Sequence, residues 1–197
     1  MIQSAAEALA KQWAKNGVIH QADIEAYQYG MELMLSTLIN IVVMIGLSIA
    51  FGHIWLFIPY LAAFIPLRLS AGGYHAKHHL NCILLNAIAY FTSLVAVSVL
   101  KEPVAILACI IESGVSLILI FLFSPVPARN KPLSTEERKM NRHISLGLGF
   151  LFLILCMLFY YTQILALTWC KILFCGQTTA TLLLVLGTCE TINHLFR

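Results

Sequence analysis

Long apolar runs separated by short polar stretches leave this chain few possible folds. A helix that crosses the hydrocarbon core of a bilayer needs about 20 mostly apolar residues, and runs of that kind occupy Met31 to Phe51, Leu80 to Leu100, Val104 to Phe123 and Ile144 to Ala166. Two weaker runs complete the set. Ile172 to Cys189 is short and carries Gly176, Gln177 and several threonines, while Ile54 to Leu67 contains Pro59 and Pro66 and is expected to be kinked, extended or partly re-entrant. The expected fold class is all-α: a polytopic integral membrane helix bundle of about six transmembrane helices.

Composition agrees with this. Hydrophobic residues make up 60% of the 197 positions and charged residues only 11%, about half the charge of a soluble domain. A free soluble enzyme is therefore excluded. The net charge of +3 is small and the basic residues lie beside apolar runs, so no nucleic-acid partner is expected; anionic membrane lipids suit this balance better. Five of the six cysteines (Cys109, Cys156, Cys170, Cys175, Cys189) sit in or beside apolar segments and read mostly as small hydrophobes.

Lys and Arg set the orientation, because basic loops stay on the cytoplasmic side. With the N-terminus inside, ten of the twelve fall on inner segments, and only Lys101 and Lys171 fall outside. Both termini and the loops Arg68 to His79 and Ser124 to His143 are then expected in the cytoplasm of a multi-pass membrane protein. The whole chain, 1–197, reads as one membrane domain. Its first 30 residues form an amphipathic region: Ile2, Ala6, Leu9 and Trp13 recur at helical spacing and Asn16-Gly17 reads as a stop. That helix either lies on the inner leaflet or packs on the protein's own spans.

Residues 68–82 carry the chemistry. Arg68, Gly72-Gly73, His75, His78, His79 and Cys82 crowd into 15 positions at one expected membrane boundary. Histidine serves as a base near neutral pH, and cysteine is a strong nucleophile once ionised. On one unbroken helix His75 and Cys82 would stand about 10.5 Å apart in rise. The chain must therefore turn between them, with His75 on an irregular segment and Cys82 on the first turn of the next helix, where the amide groups favour a thiolate and an oxyanion. The competing readings are histidines at headgroup level beside an ordinary cysteine, and a metal held by His75, His78, His79 and Cys82.

Arg68 either anchors the end of its span, or uses its planar fork to hold a substrate carbonyl or carboxylate or to lock the Gly-Gly turn. For a third group, Asn81 and Asn86 are near enough in sequence to orient the histidine by hydrogen bonding, with Asn86 alternatively satisfying itself within the bundle, and Glu112 and Glu190 are further candidates. The second inner loop, residues 124–143, begins extended, with three prolines, and offers Arg129 and Lys131 to an acidic peptide. Ser134 to Glu137 reads as a capping box that opens a short charged helix. As a plain alternative, the loop is a stiff connector.

Arg68, the run Gly72-Gly73-Tyr74-His75-Ala76-Lys77-His78, Cys82 seven residues after His75, and Pro125 to Leu133 together resemble the accessory gene regulator protein B (AgrB) family. These are membrane peptidases that process quorum-sensing peptide precursors in Gram-positive bacteria. The resemblance spans nearly the whole chain. It implies that His75 and Cys82 are base and nucleophile, that Arg68 and Gly73 match positions important for activity, and that the protein is a cysteine endopeptidase working as a homodimer. It also implies a precursor with an amphipathic N-terminal helix and an acidic tail, cut through a thioester and closed to a thiolactone or lactone. No cofactor is called for. The alternative from the residues alone is a small transporter or peptide exporter that does not cut its cargo.

Overall fold

The computed structural model describes all residues except 1, 75–78, 102–103, 127–132, 163–166 and 196–197, and of residues 2, 33, 79, 160 and 193–195 only the backbone. Seven helices follow in order: α1 (Ile2–Lys15), α2 (Ile24–Ala50), α3 (Phe57–Ala71), α4 (His79–Val99), α5 (Val104–Phe123), α6 (Thr135–Thr162) and α7 (Leu167–Leu195). Six of these, α2 to α7, are long and apolar enough to cross a membrane once the short 3-10 turn Ile54–Leu56 is added to α3. The fold is an all-α polytopic bundle. Among the described residues no strand forms, and one isolated backbone bridge pairs Gly72 with Val126.

Several boundaries differ from those expected of the apolar runs. The doubtful second span is a helix that runs through Pro66 to Ala71, so Arg68 belongs to its last turn and not to the following loop. The charged helix expected after the second inner loop is not separate. Ser134 and Glu137 do form the capping box, with Ser134 N–H donating to Glu137 Oε2 at 2.8 Å and Glu137 N–H donating to Ser134 Oγ at 3.2 Å. The helix they open continues without a break into the fifth span. Charge alone does not end a helix whose i to i−4 ladder can continue.

The chain divides into two compact units, Met1–Leu47 with Ala76–Ile88, and Ser48–His75 with Ala89–Arg197. In the first, α1 ends as its sequence requires. Gly17 takes φ +71°, Gly17 N–H donates to Ala14 O at 3.1 Å and Val18 N–H to Trp13 O at 3.0 Å, the paired bonds of a Schellman cap. Ala6 and Ala10 are fully buried while Leu9 and Trp13 keep 40% exposure, so α1 packs through its small residues, and Trp13 meets Tyr27 of α2 edge-on at 6.5 Å.

In the second unit α3 packs on α7 and α6, and α5 on α6 and α7. Tyr60 is at the centre of this unit, fully buried, with Tyr90 edge-on at 4.8 Å. Both hydroxyls find partners, as buried phenols must in lipid: Tyr60 donates to Thr179 Oγ1 at 3.1 Å, and Tyr90 shares a 2.6 Å bond with Ser48. A Cβ on Gly176 would lie 2.3 Å from Tyr60 O, and one on Gly149 would lie 2.8 Å from Leu117 Cδ1. These two small residues therefore serve contacts within the bundle. The threonines that weakened the last apolar run bond back to their own helix, Thr178 to Phe174 O, Thr179 to Cys175 O and Thr181 to Gln177 O, which removes their cost in an apolar surround.

Candidate functional site

Arg68 stands on the last turn of α3, four residues before the helix stops at Gly72. Gly72 takes φ +74° and ψ −147°, a region open to glycine almost alone, and Gly73 takes φ +127°. The reason is contact as well as conformation. A Cβ on Gly72 would fall 2.0 Å from Val126 O, because Val126 N–H donates to Ala71 O at 2.9 Å and draws the two segments side by side.

The next step of the chain is clamped from two sides. Arg68 Nη1 donates to Gly72 O at 2.6 Å and Nη2 donates to Tyr74 O, so one planar guanidinium holds the carbonyls on either side of Gly73. The fork thus locks the Gly-Gly turn, one of the uses expected of this arginine. From the other side, Tyr74 N–H donates to Leu183 O of α7 at 2.7 Å. A Cβ on Gly73 would lie 2.6 Å from that same carbonyl, and a Cβ on Gly187 would lie 2.5 Å from Gly73 C and Tyr74 N. Residues 72–74 thus form a strap pressed against α7 where α7 has no side chain.

Leu183, Gly187 and Val126 were not among the residues singled out from sequence. Their part is played by backbone, and a glycine inside an apolar helix carries no signal of what will lie against it. The Gly72-Gly73 pair signalled only backbone freedom at this point of the chain.

The strap delivers the backbone, fixed, to Tyr74, the residue before His75. His75 itself, Lys77 and His78 lie outside the described residues, as do Arg129 and Lys131. Cys82 is the fourth residue of α4 as described, in keeping with the expected place at a helix start, and is partly exposed. Asn86, one turn further along, donates from Nδ2 to Cys82 Sγ at 3.8 Å. The orientation of the histidine, for which the sequence offered Asn86, involves a residue outside those described. Asn81 is exposed.

Glu112 lies within α5, far along the chain from this segment. Its Oε1 accepts from Ser116 at 2.7 Å. No group of three or more His, Cys, Asp or Glu side chains among the described residues is arranged to hold a metal ion, and none of the described cysteines is in a disulfide.

Against known proteins, the family model described as Accessory gene regulator B matches residues 4–185. A protein named AgrB-like from Halalkalibacterium halodurans is 29% identical over 160 residues, covering 80% of this chain and 78% of that protein. The accessory gene regulator protein B of Staphylococcus carnosus is 26% identical over 114 residues, 57% of this chain and 58% of its own length. A second AgrB-like protein, from Clostridium perfringens, is 26% identical over 120 residues, 58% of this chain and 56% of its own. No solved structure matches.

Proposed function

Because the chain belongs to the accessory gene regulator B family, with a role in quorum-sensing processing, we propose that it is a membrane cysteine endopeptidase. Its substrate is a peptide precursor, which it cuts and helps to cyclise. Cys82 is the nucleophile and His75 its base. Arg68, Gly72 and Gly73 hold the segment that carries the base, and Arg129 and Lys131 attract an acidic tail. Both termini and the site face the cytoplasm of the bacterial cell membrane, and two copies work together as a homodimer.

The observation that carries this reading is the clamped strap. An arginine fork on the carbonyls of Gly72 and Tyr74, two glycines in conformations closed to other residues and a bond to a neighbouring helix fix a backbone that would otherwise be a loose connection. Such organisation is what a base needs if it is to meet its proton donor without a search.

The chemistry runs in two steps. The Cys82 sulfur, its proton taken by the imidazole, attacks the carbonyl carbon of the scissile peptide bond. The tetrahedral intermediate expels the tail amine, which leaves with the proton from the imidazolium, and a thioester remains. A side-chain thiol or hydroxyl of the bound remainder then attacks that thioester, closing the ring and returning the sulfur. The thioester keeps the energy of the cut bond, so ring closure by a thiol is close to isoenergetic where water is kept away. A position beside lipid favours that exclusion.

Co-expression with a tagged precursor, followed by mass spectrometry, tests the proposal. Wild type yields a released tail and a ring, while Cys82→Ala and His75→Ala leave the precursor whole in equally inserted protein. Cleavage by either variant at the wild-type rate would remove the assignment. The second reading, an exporter that leaves its cargo uncut, is favoured by the two buried amide atoms of the Gln177 side chain, which have no hydrogen-bond partner among the described residues. It predicts a product of unchanged mass on the far side of sealed vesicles.

A further inference from the structure

We infer that Asn86 is a further catalytic residue of the proposed site, a hydrogen-bond donor to the reacting sulfur. The inference rests on the reading of Cys82 as the nucleophile and deepens it.

Asn86 is nearly buried, at 9% exposure, on a helix able to span a membrane. A primary amide in such a place must find partners, since neither lipid nor an apolar neighbour supplies any. Three hydroxyls further along α4 answer this need locally through the backbone: Thr92 and Ser93 donate to Ala89 O at 2.9 and 2.7 Å, and Ser98 donates to Leu94 O at 2.8 Å. Asn86 has the same option one turn back and instead directs Nδ2 to Cys82 Sγ at 3.8 Å. The donor thus meets the atom that serves as nucleophile in the proposed reaction.

The chemical consequence depends on the state of the sulfur. A thiol sulfur is a weak acceptor, whereas a thiolate makes a charge-assisted bond of roughly twice the strength of a neutral one. The amide therefore favours the ionised sulfur twice in the cycle: before it attacks the peptide carbonyl, and again as it is expelled when the ring closes. In between, the sulfur of the thioester carries no charge and the bond is weak. An interaction stronger with the charged sulfur than with the acylated one accelerates departure as well as activation.

The experiment reads the sulfur without any precursor. Intact protein in native membrane vesicles is treated with iodoacetamide, which requires thiolate, and in parallel with p-mercuribenzoate, which takes sulfur in either protonation state. Labelling of the peptide containing Cys82 is followed by mass spectrometry. Asn86→Leu keeps the size and suits the lipid surround, and Asn86→Asp keeps the shape but loses the donor. Each is expected to slow alkylation of Cys82 by about tenfold or more while the mercurial still reacts at the wild-type rate.

Alkylation of Asn86→Leu at the wild-type rate would overturn the inference. So would equal slowing of both reagents, which would reduce Asn86 to packing around the sulfur. Failure of the parent reading is separately visible, because it appears as precursor cleavage by Cys82→Ala and leaves the labelling rates untouched.

Discussion

Tyr74 and Leu183 are joined backbone to backbone: the Tyr74 N–H donates to the Leu183 carbonyl at 2.7 Å, although 109 positions separate them in the sequence (183 − 74). A carbonyl inside a helix has a second lone pair to offer, and here it takes the segment that leaves α3. The last helix of the bundle thereby fixes where the chain stands one residue before His75. The absence of a side chain at Gly187, one turn on, makes the approach possible.

Gly187 is for this reason expected to be intolerant of even a methyl group. In Gly187→Ala the new Cβ would sit 2.5 Å from Gly73 C and Tyr74 N, both backbone atoms that cannot swing aside. Overpacking of this kind costs about 1–3 kcal/mol, and the least costly relief is for the strap to lift off α7. Precursor cleavage should fall at least tenfold with the protein still inserted, and Gly187→Val should be worse. Gly147→Ala is the control, since nothing stands within 4 Å of a Cβ there. If Gly187→Ala cut as fast as that control, the strap would have no bearing on turnover.

Arg68→Lys tests the fork. Two nitrogens of one rigid plane reach the carbonyls of Gly72 and Tyr74 together, and a single ammonium on a flexible stem cannot reproduce that pairing. The change keeps the charge, and so keeps any effect of the positive side on topology. The expected outcome is normal insertion, judged by cysteine accessibility on either side of the membrane, with cleavage reduced by about tenfold or more for a lost charge-assisted bond. Wild-type cleavage in Arg68→Lys would show that charge alone is what this position contributes.

The spans were legible in the sequence because lipid admits few solutions for a polar backbone. Met31 to Phe51, Leu80 to Leu100 and Val104 to Phe123 coincide with α2, α4 and α5 to within a few residues at most ends. The apolar runs do not show that α2 starts as early as Ile24 or that the charged helix opened at Ser134 to Glu137 is continuous with α6, since a helix extends past the membrane edge wherever its residues permit, and apolarity marks only the part inside. Of the site, Arg68, Gly72, Gly73 and Cys82 carried visible signals in residue type and spacing. The carbonyls of Leu183 and Val126 carried none, because backbone chemistry is the same at every position and only the fold decides which group is used.

Gly72→Ala should fail for a conformational reason as well as a steric one. At φ +74° and ψ −147° an L-residue is strained by about 1–3 kcal/mol, and its Cβ would also fall 2.0 Å from Val126 O. The end of α3 and the segment at Val126 would have to separate. Crosslinking a cysteine pair at Ala71 and Val126, whose backbones share a 2.9 Å bond, gives a direct reading. The pair should close readily in the otherwise native chain and poorly when Gly72→Ala is added. Equal crosslinking in both would mean that the bridge tolerates a side chain after all.

Ser134 and Glu137 lend themselves to a test of stability kept apart from chemistry. Each side chain caps the other's backbone amide, at 3.2 and 2.8 Å, and the helix they start is 28 residues long and continues into a span. Loss of an N-cap costs about 0.5–2 kcal/mol when Ser becomes Ala and only a few tenths when it becomes Gly. Ser134→Ala should therefore lower the thermal midpoint of detergent-solubilised protein measurably, and Ser134→Gly hardly at all. Because the box is reciprocal, the double variant with Glu137→Ala should lose less than the sum of the two single losses. Strict additivity would mean that the two bonds act independently and that the start of α6 is fixed mainly by other contacts, such as the 2.6 Å bond between Ser124 and Ser145.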